Sequence, residues 1–149
     1  MPRFLAALAS AFALAALPAA GAPGVAAASD LKFALDEIAL AYARDTGAPV
    51  RLSYGSSGNF RRQIAEGAPF EIFLSADETY VLALAKEGRL EDAGTLYAIG
   101  RLVLFAPAGS PVDPGKGLEG LAALARAGGV ARFAIANPAH APYGRAAKQ

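Results

Sequence analysis

The stretch YGSSGNFRRQIAEGAPFEIFLSAD, residues 54–77, constrains this chain more than any other. It reads as a strand end, a serine-bearing loop, a short helix, a second apolar strand and another hydroxyl-bearing turn, Ser75-Ala76-Asp77. Two strands joined this way deliver serines and free backbone N–H groups to the same edge of one sheet. In open α/β sheets ligands bind at the carboxyl ends of the strands. The helix that starts at each turn adds unpaired N–H donors and a partial positive charge, which suit an anion. No nucleophile with its base stands out here. The residue types are those of an oxyanion holder.

The N-terminus reads as something separate. Arg3 is a minimal positive region, residues 4–17 are an uncharged apolar run, and Ala20-Gly21-Ala22 offers the small-x-small pattern of a signal peptidase site. That run is shorter than the roughly 20 residues that span a bilayer. Residues 1–22 are therefore expected to be a cleaved secretory signal, with an uncleaved anchor or a misassigned start as alternatives. Absence of cysteine rules out a lipid anchor after the run, a disulfide framework and a thiolate metal site. Of 14 Lys and Arg against 13 Asp and Glu, only Arg3 lies in the leader, so the remainder is neutral. A neutral exported chain has no electrostatic footprint for nucleic acid or a membrane surface.

Taken in order, residues 24–28 are a weak, small-residue strand candidate. Leu31, Leu35, Ile38 and Tyr42 then recur at helical spacing, with Ser29 or Asp30 as N-cap and Gly47 just past the end. The opposite face carries Lys32, Asp36, Glu37 and Arg44 and reads as solvated. Val50, Leu52 and Tyr54 alternate with polar residues as a strand does. A second helix is expected from about Asn59 to Glu66, with Phe60 and Ile64 inward. The apolar run Ile72-Phe73-Leu74 suits a central parallel strand. Asp77 is placed to cap a third helix carrying Tyr80, Val81, Leu84 and Ala85, ended by Gly88. Residues 102–106 and 133–136 are expected as further buried strands, and a helix with Leu118, Leu121 and Leu124 lies between them. The chain ends in what looks like the first turns of one more helix. This alternation predicts an α/β fold with a mostly parallel sheet.

Three segments together, AAASDLKFALDEIALAYARDTG, LSYGSSGNFRRQIAEGAPFEIFLSADETYV and FAIANPAHAPYGRAAK, resemble the periplasmic molybdate-binding proteins of ABC importers. The combination of a serine loop, RQI-x-x-GAP, SAD and NP-x-H-x-P-x-G is far more specific than any one piece. The resemblance implies a two-lobed, type II periplasmic binding protein that closes on a tetrahedral oxyanion and uses no cofactor. It implies a first lobe over residues 23–97 and a second beginning near residue 98, incomplete because the family continues past Gln149. It also implies partners: molybdate or tungstate, and the permease subunits of an ABC importer in the inner membrane. It implies a monomer that works in the periplasm.

Carried over by position, the resemblance places the anion contacts at Ser29 and Asp30, at Ser57 with Ser56 beside it, and at the backbone N–H groups of Ala76 and Ala141. A further tyrosine contact would lie beyond Gln149. Asp30 departs from the hydroxyl residue or asparagine expected there. A carboxylate 4 Å from an anion costs about 4 kcal/mol for each unit-charge pair at an effective dielectric of 20. Asp30 is therefore expected to turn back and cap the first helix, leaving its main-chain N–H for the ligand. Pointed into the cleft instead, it would favour a protonated anion such as phosphate.

The chemistry suits the residues. Molybdate and tungstate carry no proton at neutral pH, so their oxygens only accept hydrogen bonds and their site needs donors. Converging charge-assisted bonds, worth about 1.5–3 kcal/mol each, would bind tightly without an arginine. Ser57, Asp77 and His140 fall in the chain order of an α/β-hydrolase triad, but Gly55-Ser56-Ser57-Gly58 misses the G-x-S-x-G elbow by one position. No Gly-Lys-Ser/Thr follows the glycine turn, which excludes a phosphate-binding loop of the Walker type. Arg61 and Arg62 read as a solvated helix face rather than anion clamps, with Gln63 and Ile64 towards the sheet. No cluster of side chains suits a metal cation. A binding protein for sulfate or phosphate is the first alternative, and a secreted serine hydrolase the second. Lacking partners for its last strand and helix, the chain is expected to be marginally stable and to expose apolar surface.

Overall fold

The computed structural model describes residues 21–149, so all but the end of the leader lies outside it. Three strands form one sheet: β1 (Gly24–Ala28), β2 (Arg51–Gly55) and β3 (Ile72–Leu74). Their order is β2-β1-β3, and both pairings are parallel. Helix α1 (Lys32–Thr46) connects β1 to β2, and α2 (Ser57–Ala65) connects β2 to β3. Helix α3 (Glu78–Lys86) follows β3, and α4 (Gly117–Arg126) and α5 (Pro142–Lys148) come later.

The central strand is the small-residue one. All five residues of β1 are buried, whereas β3 is an edge strand and Ile72 is 47% exposed. This reverses the expectation that residues 72–74 would be central. Glycine and alanine are poor strand formers, but a strand's place is set by its ladder, and β1 pairs on both sides. Its small side chains let covering elements approach closely. The core is correspondingly compact: Val25, the three alanines of β1, Phe60, Ile64 and Leu84. Phe60 meets Phe70 edge-on with ring centres 5.3 Å apart. Gly55 is needed beneath that ring, since a Cβ there would lie 2.9 Å from Phe60.

The helices stop and start largely as their sequences dictate. Gly47 adopts a left-handed conformation (φ 72°) just after α1. Ser56 caps α2, which begins at Ser57, slightly earlier than expected, and Asp77 caps α3. Helix α1 buries none of its residues. Leu31 and Leu35 are half-buried, but Ile38 and Tyr42 of the expected inward face are 61% and 48% exposed. Asp36, read as solvated, is half-buried and accepts the Tyr54 hydroxyl at 2.6 Å, tying α1 to β2. Gln63 is exposed and does not face the sheet as Ile64 does.

Residues 102–106 and 133–136 are not strands. They are as apolar as β3, yet Val103 is 84% and Phe105 81% exposed. A strand needs a neighbour to accept its N–H and C=O groups, and among the described residues neither segment has one. The chain is thus α/β with a parallel sheet flanked by helices, and it carries the exposed apolar surface its sequence implied.

Candidate functional site: the carboxyl edge of the sheet

From β1 the chain runs out through α1 to β2, then crosses back through α2 to β3. The order β2-β1-β3 therefore puts the topological switch between β1 and β3, where open α/β sheets bind ligands. The residues just beyond these two strands are Ser29-Asp30 and Ser75-Ala76-Asp77, and β2 contributes Ser56-Ser57 on the far side of β1. Five of the carried-over positions, Ser29, Asp30, Ser56, Ser57 and Ala76, lie at this edge, and Ser57 and Ala76 touch. Ser57 is 1% exposed, and its Oγ accepts the Ala76 N–H at 3.0 Å. Ser29 lies exposed at the end of β1. The turn after β3 is held by its own serine: Ser75 Oγ donates to the Asp77 carbonyl at 2.8 Å and accepts the Asp77 N–H at 3.2 Å.

A second set of residues, 137–148, closes over this edge. The His140 carbonyl accepts the Ser56 hydroxyl at 2.6 Å and the Gly58 N–H, at the start of α2, at 3.1 Å. Tyr143 donates its hydroxyl to Asp30 Oδ2 at 3.1 Å. Arg145 pairs with Asp77 Oδ2. Two adjoining cavities result, of about 300 and 350 Å³, which share Ala76, Asp77, Gly100 and Tyr143 in their walls. Asp30, Ser75 and Tyr97 line the smaller one.

Two expectations need correction. Asp30 does not cap α1. It lies inside a short 3-10 turn, Ser29–Leu31, whose N-cap is Ala28, so its carboxylate is not at the capping position and reaches Tyr143 instead. The Ala141 N–H is committed to the Asn137 carbonyl at 2.9 Å and closes the turn before α5. The part of that turn in contact with the strand edge is His140, through its carbonyl and its ring Nδ1.

Hydrolase chemistry finds no support in the geometry. His140 Nδ1 is 3.0 Å from Ser56 Oγ, not Ser57, and Asp77 is engaged by Thr79 and Arg145 rather than by His140. Arg61 pairs with Glu87 and Arg62 bonds Asn59, so neither arginine acts as an anion clamp here.

Charge around the cavities is arranged unevenly. Burial pushes the Asp77 carboxyl up, but bonds from the Thr79 hydroxyl and amide, and the Arg145 charge, outweigh it and leave its pKa lowered. Burial, helped by the nearby Asp30 carboxylate, raises the pKa of both Tyr97 and Tyr143. Both phenols therefore stay protonated donors at neutral pH. Tyr97 donates to the Ser75 carbonyl at 2.8 Å. The sequence gives no sign that Tyr97, Tyr143 and Arg145 belong here, because nothing in their spacing marks a tyrosine or arginine as facing a strand edge far away in the chain.

Comparison with known proteins follows the same lines. The family of bacterial extracellular solute-binding proteins matches residues 24–149. The chain belongs to this family. Among its relatives, the molybdate-binding protein ModA of Azotobacter vinelandii is 39% identical over 126 residues, 84% of this chain and 48% of that protein. ModA of Rhodobacter capsulatus is 38% identical over 98% of this chain and 57% of its own length. ModA of Escherichia coli K12 is 32% identical, with 97% and 56% covered. The chain thus spans about half the length of these relatives. The solved periplasmic molybdate-binding protein of A. vinelandii aligns with 44% of this chain and 29% of its own at 38% identity, with a TM-score of 0.43. As a solute-binding protein the chain falls in a family of binders rather than enzymes.

Proposed function

We propose that this solute-binding protein captures molybdate, and tungstate with it, at the switch-point edge and delivers it to the permease of an ABC importer. The observation that carries this reading is the Ser57–Ala76 pair. A buried hydroxyl accepts a backbone N–H beside the β1/β3 switch, and the hydroxyl keeps its own rotatable proton for a guest that only accepts hydrogen bonds. The exposed Ser29 hydroxyl at the end of β1 supplies a further donor, and the names of the relatives support the choice of anion. In this reading residues 1–22 are a cleaved signal, the site works in the periplasm, residues 23–97 form one lobe, and residues 98–149 begin the other. The protein acts as a monomer and catalyses no reaction.

Asp30 favours a second reading. Its carboxylate lines the smaller cavity, and an acceptor there suits an oxyanion that keeps a proton, such as phosphate at neutral pH. Isothermal titration with molybdate, tungstate, sulfate and phosphate separates the two. Molybdate and tungstate are expected to bind most tightly. Preference for phosphate would move the assignment to a protonated anion, and heat from none of the four would end it.

A further inference from the structure

We infer that Arg145 is a positioning residue that clasps residues 137–148 onto the strand edge and so keeps the anion cavity walled. Its guanidinium does two things at once. It pairs with the carboxylate of Asp77, the residue that caps α3 directly after Ala76, and it stacks on the Tyr80 ring with 4.7 Å from its central carbon to the ring centre. Tyr80 in turn reaches the start of α2: a Cβ placed on Gly58 would lie 2.9 Å from the Tyr80 hydroxyl and 2.7 Å from the His140 carbonyl. Arg145, Tyr80, Gly58 and His140 are therefore stacked in one column beside Ser57 and Ala76.

The cavity depends on this column. The larger cavity is lined by Ala76 and Asp77 from the strand edge, by Gly100 and Leu102, and by Pro142, Tyr143 and Ala146 of α5. Helix α5 has no side-chain cap, and Gly144 is its one buried residue. Gly144 packs on the Ala136–Asn137 backbone and Tyr143 on Gly100, while the polar ties to the strand edge are the Tyr143–Asp30 bond, the His140 carbonyl and the Arg145 contacts. Releasing Arg145 frees α5 to swing away, removes one wall and opens the Ala76 side of the cavity, next to Ser57, to water. The cost falls on retention of the anion more than on its arrival, because a wall that opens speeds escape.

The affinity part of this inference rests on the oxyanion reading, and the test separates the two. In the full chain, Arg145→Met removes the charge and the planar stack while keeping the aliphatic stem, and Arg145→Lys restores the charge alone. Amide exchange at Gly58, whose N–H donates to the His140 carbonyl, reads the clasp without any anion. Faster exchange in Arg145→Met, partly slowed again in Arg145→Lys, is expected. In stopped-flow release experiments with molybdate, Arg145→Met is expected to dissociate about tenfold faster with little change in association. Equal Gly58 exchange in wild type and Arg145→Met would overturn the clasp, as would an unchanged release rate. Failure of every variant and of the wild type to bind molybdate would sink the oxyanion reading, while Gly58 exchange still decides the clasp.

Discussion

Residues 24–90 and residues 91–141 have much the same apolar content to offer, and only the first group buries it. Val25, Phe60, Ile64 and Leu84 are at most 7% exposed, whereas Leu96, Ile99, Val103, Phe105 and Leu118 are 72% exposed or more. In the first region the strands have ladder partners and α2 and α3 cover them, although α1 leaves Phe33 and Leu40 exposed; in the second the runs have neither among the described residues. Apolarity supplies a tendency to be covered. Whether a run becomes a strand depends on a neighbour that satisfies its backbone. Residues 137–148 stand between the two cases, since they are docked on the sheet edge chiefly by polar contacts: the His140 carbonyl, the Tyr143 hydroxyl and the Arg145 guanidinium.

This contrast can be broken most forcefully in the buried half. Leu84→Ala empties a fully buried site and is expected to cost about 2–5 kcal/mol of stability, read from the urea midpoint. A loss under about 1 kcal/mol would mean that the core is not where the structure puts it. At the site itself, Ser57→Ala removes a buried hydroxyl donor and is expected to weaken molybdate binding by about 1.5–3 kcal/mol in titration calorimetry. Unaltered affinity would take Ser57 out of the site. Asp30→Asn replaces an acceptor in the cavity wall with a group that can donate. Because Asp30 is exposed and its charge is screened by water, an increase in molybdate affinity of only about three- to tenfold is expected. Weaker binding in that variant would show that the carboxylate serves the site by holding Tyr143.

Smaller effects test how the third segment is attached. The folded-state pKa of Asp77 lies below its ordinary value of 3.8. Its contribution is therefore present above pH 3.8 and drains away as the pH falls below that value. Between about pH 5 and pH 3 the thermal midpoint of the wild type is expected to fall further than that of Asp77→Asn, which keeps a capping oxygen but no charge. Parallel curves would contradict it. Smallest of all, Phe105→Ser in the exposed half is expected to change stability by no more than about 0.5 kcal/mol. A large loss there would erase the distinction between the halves.

Much of the first region was legible beforehand, and the reasons are local. Ser56 and Asp77 are good caps followed by helix-forming runs, Gly47 supplies the left-handed stop, and Phe60 and Ile64 share one face at a spacing of four. Long-range facts were not legible. Three alanines in β1 look like a poor strand until two neighbours flank them. Asp30 looks like a cap until the chain enters its 3-10 turn one residue sooner. At the site, the meeting of Ser57 with Ala76 follows from the crossover between parallel strands and could be read from the two turns. The roles of Tyr143 and Arg145 require knowing that α5 folds back on the strand edge, and no periodicity announces that.

Crystals soaked in tungstate and measured at the tungsten absorption edge would locate the anion directly. One anomalous peak within hydrogen-bonding distance of Ser57 Oγ and the Ala76 nitrogen, facing Tyr143, is the expected result. A peak elsewhere on the protein, or none at saturating tungstate, would contradict the placement of the site at the β1/β3 switch.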